Sequence, residues 1–160
     1  MESLKAKPTS DSRVTLTQLM GPGAANIMGN VHGGYIVKLC DEAGGIAASK
    51  HARRPVVTVV LDSMTFHSPV HIGDLVTVSA EITWTGRTSM ETRVVVTAED
   101  VLSGTVTHTN TAYLVFVALD DSGRPTAVPQ LVCQTAEEEE RFQRAALRQQ
   151  IRLKTREQDT

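Results

Sequence analysis

The chain has 160 residues, 41% of them hydrophobic, with sixteen Lys and Arg against eighteen Asp and Glu for a formal charge of -2. That is length enough for one globular domain with its own core, and the near balance of charge excludes the basic footprint that nucleic-acid binding requires. No apolar run reaches the ~18 residues of a membrane span, the start Met1-Glu2-Ser3-Leu4-Lys5 lacks a signal peptide's apolar stretch, and two cysteines, Cys40 and Cys133, make no disulfide framework. The expected address is cytoplasmic, with both thiols reduced.

In chain order, residues 1–12 are polar, contain Pro8 and read as a flexible N-terminal tail. Arg13 to Met20 alternates as a first strand, and Gly21-Pro22-Gly23 stops it. Asn30 to His51 reads as one helix entered through Gly33 and Gly34. Ile36, Val37, Leu39, Cys40, Ala43, Ile46, Ala47 and Ala48 leave it buried on most sides, and Gly44 and Gly45 let neighbouring backbone come close. Arg53-Arg54-Pro55 ends it, because the residue before a proline is pushed out of the helical region. His51 reads as an end residue complementing the helix dipole.

Val56 to Phe66 opens a strand-rich half, followed by Leu75 to Thr85, Ser89 to Glu99 and Gly104 to Asp120, all rich in Val and Thr. The breaks between them are short enough for hairpins, so the sheet is expected to be largely antiparallel. Glu137 to Arg156 is helical in composition, acidic first and basic last, with a thin apolar stripe that suits a solvated surface helix or an oligomer contact. One strand, one long helix and then a run of strands predicts an α+β fold in which an antiparallel sheet curls around a central helix, plus a C-terminal helix.

Asp41 is the residue that periodicity cannot place. A carboxylate in an otherwise apolar helix needs a partner or a purpose, and an ordinary ion pair with Lys38 on an exposed flank explains it as well as chemistry does. The turn His32-Gly33-Gly34 lies where a helix N-terminus leaves backbone N–H groups aimed at incoming negative charge, and such glycines also serve simply as turn formers. Asn30 suits a helix cap. His67 and His71 straddle Pro69 and share no helix face, so no metal site is expected.

The motifs Gly29-Asn30-Val31-His32-Gly33-Gly34, Asp41-Glu42-Ala43-Gly44, Asp62-Ser63-Met64-Thr65-Phe66, Ser68-Pro69-Val70-His71-Ile72-Gly73-Asp74 and Gly86-Arg87-Thr88-Ser89, in this order, resemble the hotdog-fold acyl-CoA thioesterases of the bacterial YciA and mammalian brain-type acyl-CoA hydrolase group. The likeness spans roughly Arg13 to Leu131. It implies a hotdog domain over 13–132 with a helical extension over 133–160, and dimers with a continuous sheet, assembled as trimers of dimers. It also implies hydrolysis of acyl-CoA to a free acid and CoA, with no cofactor beyond the coenzyme A carried by the substrate, and no nucleic-acid or membrane partner.

By the same resemblance Asp41 is the general base or nucleophile, Gly33 and Gly34 polarise the thioester carbonyl, and Asn30 orients water or carbonyl. His32, Arg87, Thr88 and Ser89 contact CoA, with Arg54 a further candidate. Eleven residues of helix would put Asn30 and Asp41 roughly 15 Å apart, so a site using both must draw them from two subunits. A hotdog hydratase acting on enoyl thioesters would want a histidine a few residues from the aspartate, and none lies within five residues after Asp41. A non-catalytic acyl-CoA-binding protein is separated from an enzyme by release of free thiol.

Overall fold

The computed structural model describes residues 4–160. Its strands are β1 (Lys7–Pro8), β2 (Val14–Leu19), β3 (Val56–Leu61), β4 (Thr65–Phe66), β5 (Leu75–Thr85), β6 (Ser89–Glu99), β7 (Val106–Ala118) and β8 (Leu131–Val132). The helices are α1 (Gly33–Ala52) and α2 (Ala136–Gln158). The main sheet runs β2-β5-β6-β7-β3, with β4 also on β7, and every pairing in it is antiparallel. β5 and β6 begin and end at the residues the alternation predicts, because a two-sided Val/Thr pattern over eleven residues has one register that buries Val76, Val78, Ile82, Val94 and Val96 together.

α1 lies across the inner face of this sheet, with Cys40, Ala43, Ala47 and Ala48 fully buried. Burial pushes the Cys40 thiol up to about 11, so it packs as a small apolar group. The approach is closest at Gly44, where an added Cβ would lie 2.8 Å from Thr92 Oγ1 and 3.0 Å from the Phe116 ring. The small residues of α1 thus bring the flank carrying Asp41 down onto β3.

Three expectations change. The helix begins at Gly33 and not at Asn30, so only eight residues of helical rise, about 12 Å, separate Gly33 from Asp41. The tail is not loose over its second half. Lys7–Pro8 pairs in parallel with Leu131–Val132, and Thr9 and Ser12 are buried in the tight turn that follows. Lys7 anchors it, its ammonium donating to the carbonyls of His51 at 2.9 Å and Lys50 at 3.4 Å. Residues 1–3 lie outside the described part.

Lys7 therefore does for the negative end of α1 what was expected of His51. His51 is fully buried, and its Nε2 meets the Pro129 carbonyl at 2.8 Å while Nδ1 has no partner. A carbonyl only accepts, so Nε2 carries the proton, and burial with Nδ1 unpartnered among the described residues favours the neutral ring. Burial pulls the imidazole below its usual range, the Pro129 carbonyl opposing this in part. A folded pKa below the unfolded one gives stability that is whole above about pH 6.5 and is lost as pH falls through the folded value. Thermal denaturation should show the melting temperature dropping as pH falls below about 6.5, and His51→Gln should flatten that drop. An unchanged pH slope in the variant would assign it to other groups.

α2 crosses the outer face of the sheet. Thr135 caps it, its hydroxyl accepting from the Glu138 N–H at 3.1 Å. Its inward face is a row of charges: Glu138, Arg141, Arg148 and Arg152, with fully buried Ala145 among them. Arg141 pairs with Glu81 at 2.7 Å. Arg148 and Arg152 both grip Glu91 of β6, at 2.7 and 2.5 Å, and Arg148 also lies 3.8 Å from the centre of the Tyr113 ring. The thin apolar stripe does not anchor the helix: Leu147, Ile151 and Leu153 are all exposed.

Candidate active site

Asp41 sits on the half-buried flank of α1 that faces β3, and Thr58 of β3 donates its hydroxyl to Asp41 Oδ1 at 2.6 Å. Lys38 is not its partner, since it reaches Glu42 at 3.7 Å. A bulge follows immediately, the β3–β7 register shifting between Thr58 and Val60, and bulges of this kind aim a side chain out of the regular ladder. Asp41 and Thr58 open into a groove of about 480 Å³. Ile46, Val56 and Phe116 form its apolar wall, and Ser49, Lys50 and Arg53 its far, polar end.

The helix entry is a separate place. His32 caps α1, its Nδ1 accepting the Gly34 N–H at 2.8 Å, so Gly34 has no N–H to offer a substrate oxygen. The Gly33 N–H has no partner among the described residues. Gly33 lines a pocket of about 290 Å³ together with Asn26, Asn30, Phe66 and His67. No residue is common to this pocket and the Asp41 groove. Asn26 shapes the turn before the helix: its Oδ1 accepts the N–H groups of Met28 at 2.9 Å and Asn30 at 3.2 Å, which leaves its amide nitrogen as a free donor.

The expected CoA contacts divide. Thr88 carbonyl accepts from Ala118 and Pro55 carbonyl from Leu119, so the β5–β6 hairpin tip and the end of α1 border the same end of β7. Exposed Arg87 and the αL residue Arg53, at φ 51°, stand at that end. Arg54 does not face the groove; it pairs with Asp121 at 3.3 Å, and Arg53 takes the groove position instead. Thr88 and Ser89 line a different space, a cleft of about 990 Å³ between α2 and the outer face of the sheet.

Comparison with known proteins fits this geometry. Residues 28–105 match the thioesterase superfamily. A hexameric acyl-CoA thioesterase crystal structure superposes with TM-score 0.91 at 38% identity, covering 95% of this chain and 97% of that one. The chain belongs to the thioesterase superfamily. The chain is also 37% identical over 136 residues to the cytosolic acyl coenzyme A thioester hydrolase of Rattus norvegicus, 84% of this chain but 36% of the rat protein, so it spans about a third of that relative's length. The acyl-CoA hydrolase of Staphylococcus aureus, solved with butyryl-CoA, CoA and CoA disulfide, superposes with TM-score 0.89 at 31% identity over 96% of this chain and 94% of that one. An antiparallel sheet around one central helix, with a C-terminal helix, is the hotdog architecture.

Alanine variants of that staphylococcal hydrolase have been solved at an aspartate, at an asparagine fifteen residues before it and at a threonine seventeen after it. In the thioesterase chain the same spacings run from Asp41 back to Asn26 and on to Thr58. Asn30 is four residues out of step. Thr58 and Asn26 escaped the sequence reading, although Thr58 is a hydroxyl in the all-valine run Val56 to Val60 and Asn26 stands four residues before another asparagine.

Proposed function

We propose that the protein hydrolyses acyl-CoA thioesters at a site shared by two chains, Asp41 and Thr58 coming from one and Asn26 and Gly33 from its partner. Asp41 takes a proton from water, whose oxygen bonds to the thioester carbonyl carbon. The Gly33 N–H and the Asn26 amide hold the oxygen on which charge develops, in place of the Gly33–Gly34 pair and Asn30. The C–S bond then breaks, and the proton on Asp41 passes to the CoA thiolate. Thr58 holds the carboxylate in place with its 2.6 Å hydrogen bond.

The observation that carries this reading is the coincidence of the Asn26, Asp41 and Thr58 spacings with the three residues altered in the staphylococcal hydrolase, together with the contact between Asp41 and Thr58. A shared site is supported by the absence of any residue common to the two pockets. It is supported too by β3, an edge strand that leaves Val57, Val59 and Leu61 exposed, the kind of edge that pairs with another chain. Two β3 strands joined about a two-fold axis make one continuous sheet, and three such dimers make a hexamer like that of the relative described above. The basic end of the groove at Arg53 and Arg87 suits the CoA phosphates. A cytoplasmic address accords with the rat relative's name, and no helix among the described residues is long and apolar enough to cross a membrane.

Mixing tests the shared site. Asn26→Ala and Asp41→Ala chains, each inactive alone, are unfolded, combined equally and refolded, so that half the dimers are mixed. One of the two sites in a mixed dimer is intact, and free-thiol release should recover to about a quarter of the unaltered protein's value per chain. Proven subunit exchange without recovered activity would rule the arrangement out.

A further inference from the structure

Two neighbouring apolar side chains are almost wholly exposed. Ile27 is 102% and Met28 79% exposed, side by side at the tip of the turn between Asn26 and Asn30. The tip is not slack. Besides the two bonds to Asn26 Oδ1, the Asn26 N–H donates to the Asn30 carbonyl at 2.7 Å and the Gly29 N–H to the Asn26 carbonyl at 3.1 Å, while Gly29 takes φ +81°. Ala25–Val31 and Asn30–His71 bridges tie down its base. Nothing among the described residues covers the two side chains, and the turn holds them out.

Resting on the proposed function, which brings Asn26 to the thioester carbonyl in the partner's groove, we infer that Ile27 and Met28 form a wall of the acyl-chain site of the partner subunit and help to select acyl length. Consecutive Cα atoms are about 3.8 Å apart, so both residues follow Asn26 to within about 8 Å of that site. The groove has two ends of different character. Beyond Asp41 it runs to Ser49, Lys50 and Arg53, which suits the amides and phosphates of the CoA arm. The acyl chain leaves the carbonyl on the other side and needs apolar surface. Ile46, Val56 and Phe116 lie between Asp41 and that polar end, so the groove's own residues leave the acyl side of Asp41 open. A rigid apolar tip next to the residue that holds the carbonyl oxygen closes it.

The test compares kcat/KM for saturated acyl-CoA substrates from acetyl to long-chain in the unaltered protein, Ile27→Ala and Met28→Ala, with oligomeric state followed by size-exclusion chromatography. The inference expects a loss that grows with chain length, on the order of tenfold for the longest chains, with acetyl-CoA within about twofold and assembly unchanged. Met28→Trp, which narrows the site, should move the optimum to shorter chains. If both alanine variants keep the unaltered length profile, or lose the same fraction at every length, the tip has no role in acyl selection although hydrolysis itself stands. If the unaltered protein hydrolyses none of the series, the functional reading falls and this inference with it.

Discussion

Asp41→Ala should lower kcat by on the order of 10² or more while leaving CoA affinity nearly unchanged. On the proposed mechanism the carboxylate acts only as the water is deprotonated and charge builds on the carbonyl, so its loss raises the barrier without removing a ground-state contact. The fold has little to lose, since Asp41 is half-buried on a helix flank with one side-chain bond, to Thr58. Thr58→Val keeps the shape and removes the donor. A hydrogen bond to a charged group contributes about 1.5 kcal/mol, so the smaller drop should be roughly tenfold. Free-thiol release under saturating acyl-CoA, beside calorimetric titration with CoA, reads both quantities. Turnover close to normal in a folded Asp41→Ala protein would remove Asp41 from the chemistry, and a large loss of CoA affinity would make it a binding residue.

Arg148→Ala combined with Arg152→Ala is the largest stability change expected. Glu91 is 0% exposed and holds both guanidinium groups, with the Thr83 hydroxyl as a further donor at 2.8 Å. Removing both arginines leaves a carboxylate within the protein with only a hydroxyl for company, and breaking a buried pair in this way costs about 3–5 kcal/mol. Replacing these three with apolar residues of similar volume, Glu91→Leu with Arg148→Met and Arg152→Met, should recover most of that loss, although Asp62, 3.5 Å from Arg152, then loses its partner. Urea denaturation followed by far-ultraviolet circular dichroism distinguishes the two. A double-alanine protein as stable as the original would show that α2 is held by its other contacts, Arg141 with Glu81 and Arg13 with Glu138.

How legible these features were in the sequence depends on whether local pattern or distant contact decides them. β5, β6 and α1's apolar face are local: period-2 alternation over eleven residues and a run of small residues each admit one arrangement. α2's anchoring is not local. Glu138, Arg141, Arg148 and Arg152 fall on one helical face at spacings that an apolar stripe would use, but a search for apolar residues passes over charges whose partners lie 57 to 61 residues away for the arginines, at Glu81 and Glu91, and 125 for Glu138, at Arg13. The same blindness mislocated Lys7, whose worth lies in two carbonyls at the far end of α1, and gave His51 a surface role when the Pro129 carbonyl holds it inside. At the site, Asp41 was legible because a carboxylate contradicts its apolar helix. Thr58 was not, because threonine agrees with a strand and only its contact with Asp41 sets it apart.

The exposed β3 edge carries a consequence for the rate law. On the proposed shared site a single chain has half of two sites and none complete, so working enzyme is a product of association and its amount follows mass action. Once total protein falls below the dissociation constant of the pair, each halving of concentration halves the fraction assembled, and turnover per chain declines with dilution where an ordinary monomeric enzyme's would stay flat. Substrate spanning both chains draws the pair together, so the threshold itself moves to lower protein concentration as acyl-CoA rises. On that arrangement Val57, Val59 and Leu61, through the pairing of the β3 edges, would set how much activity a given quantity of protein yields.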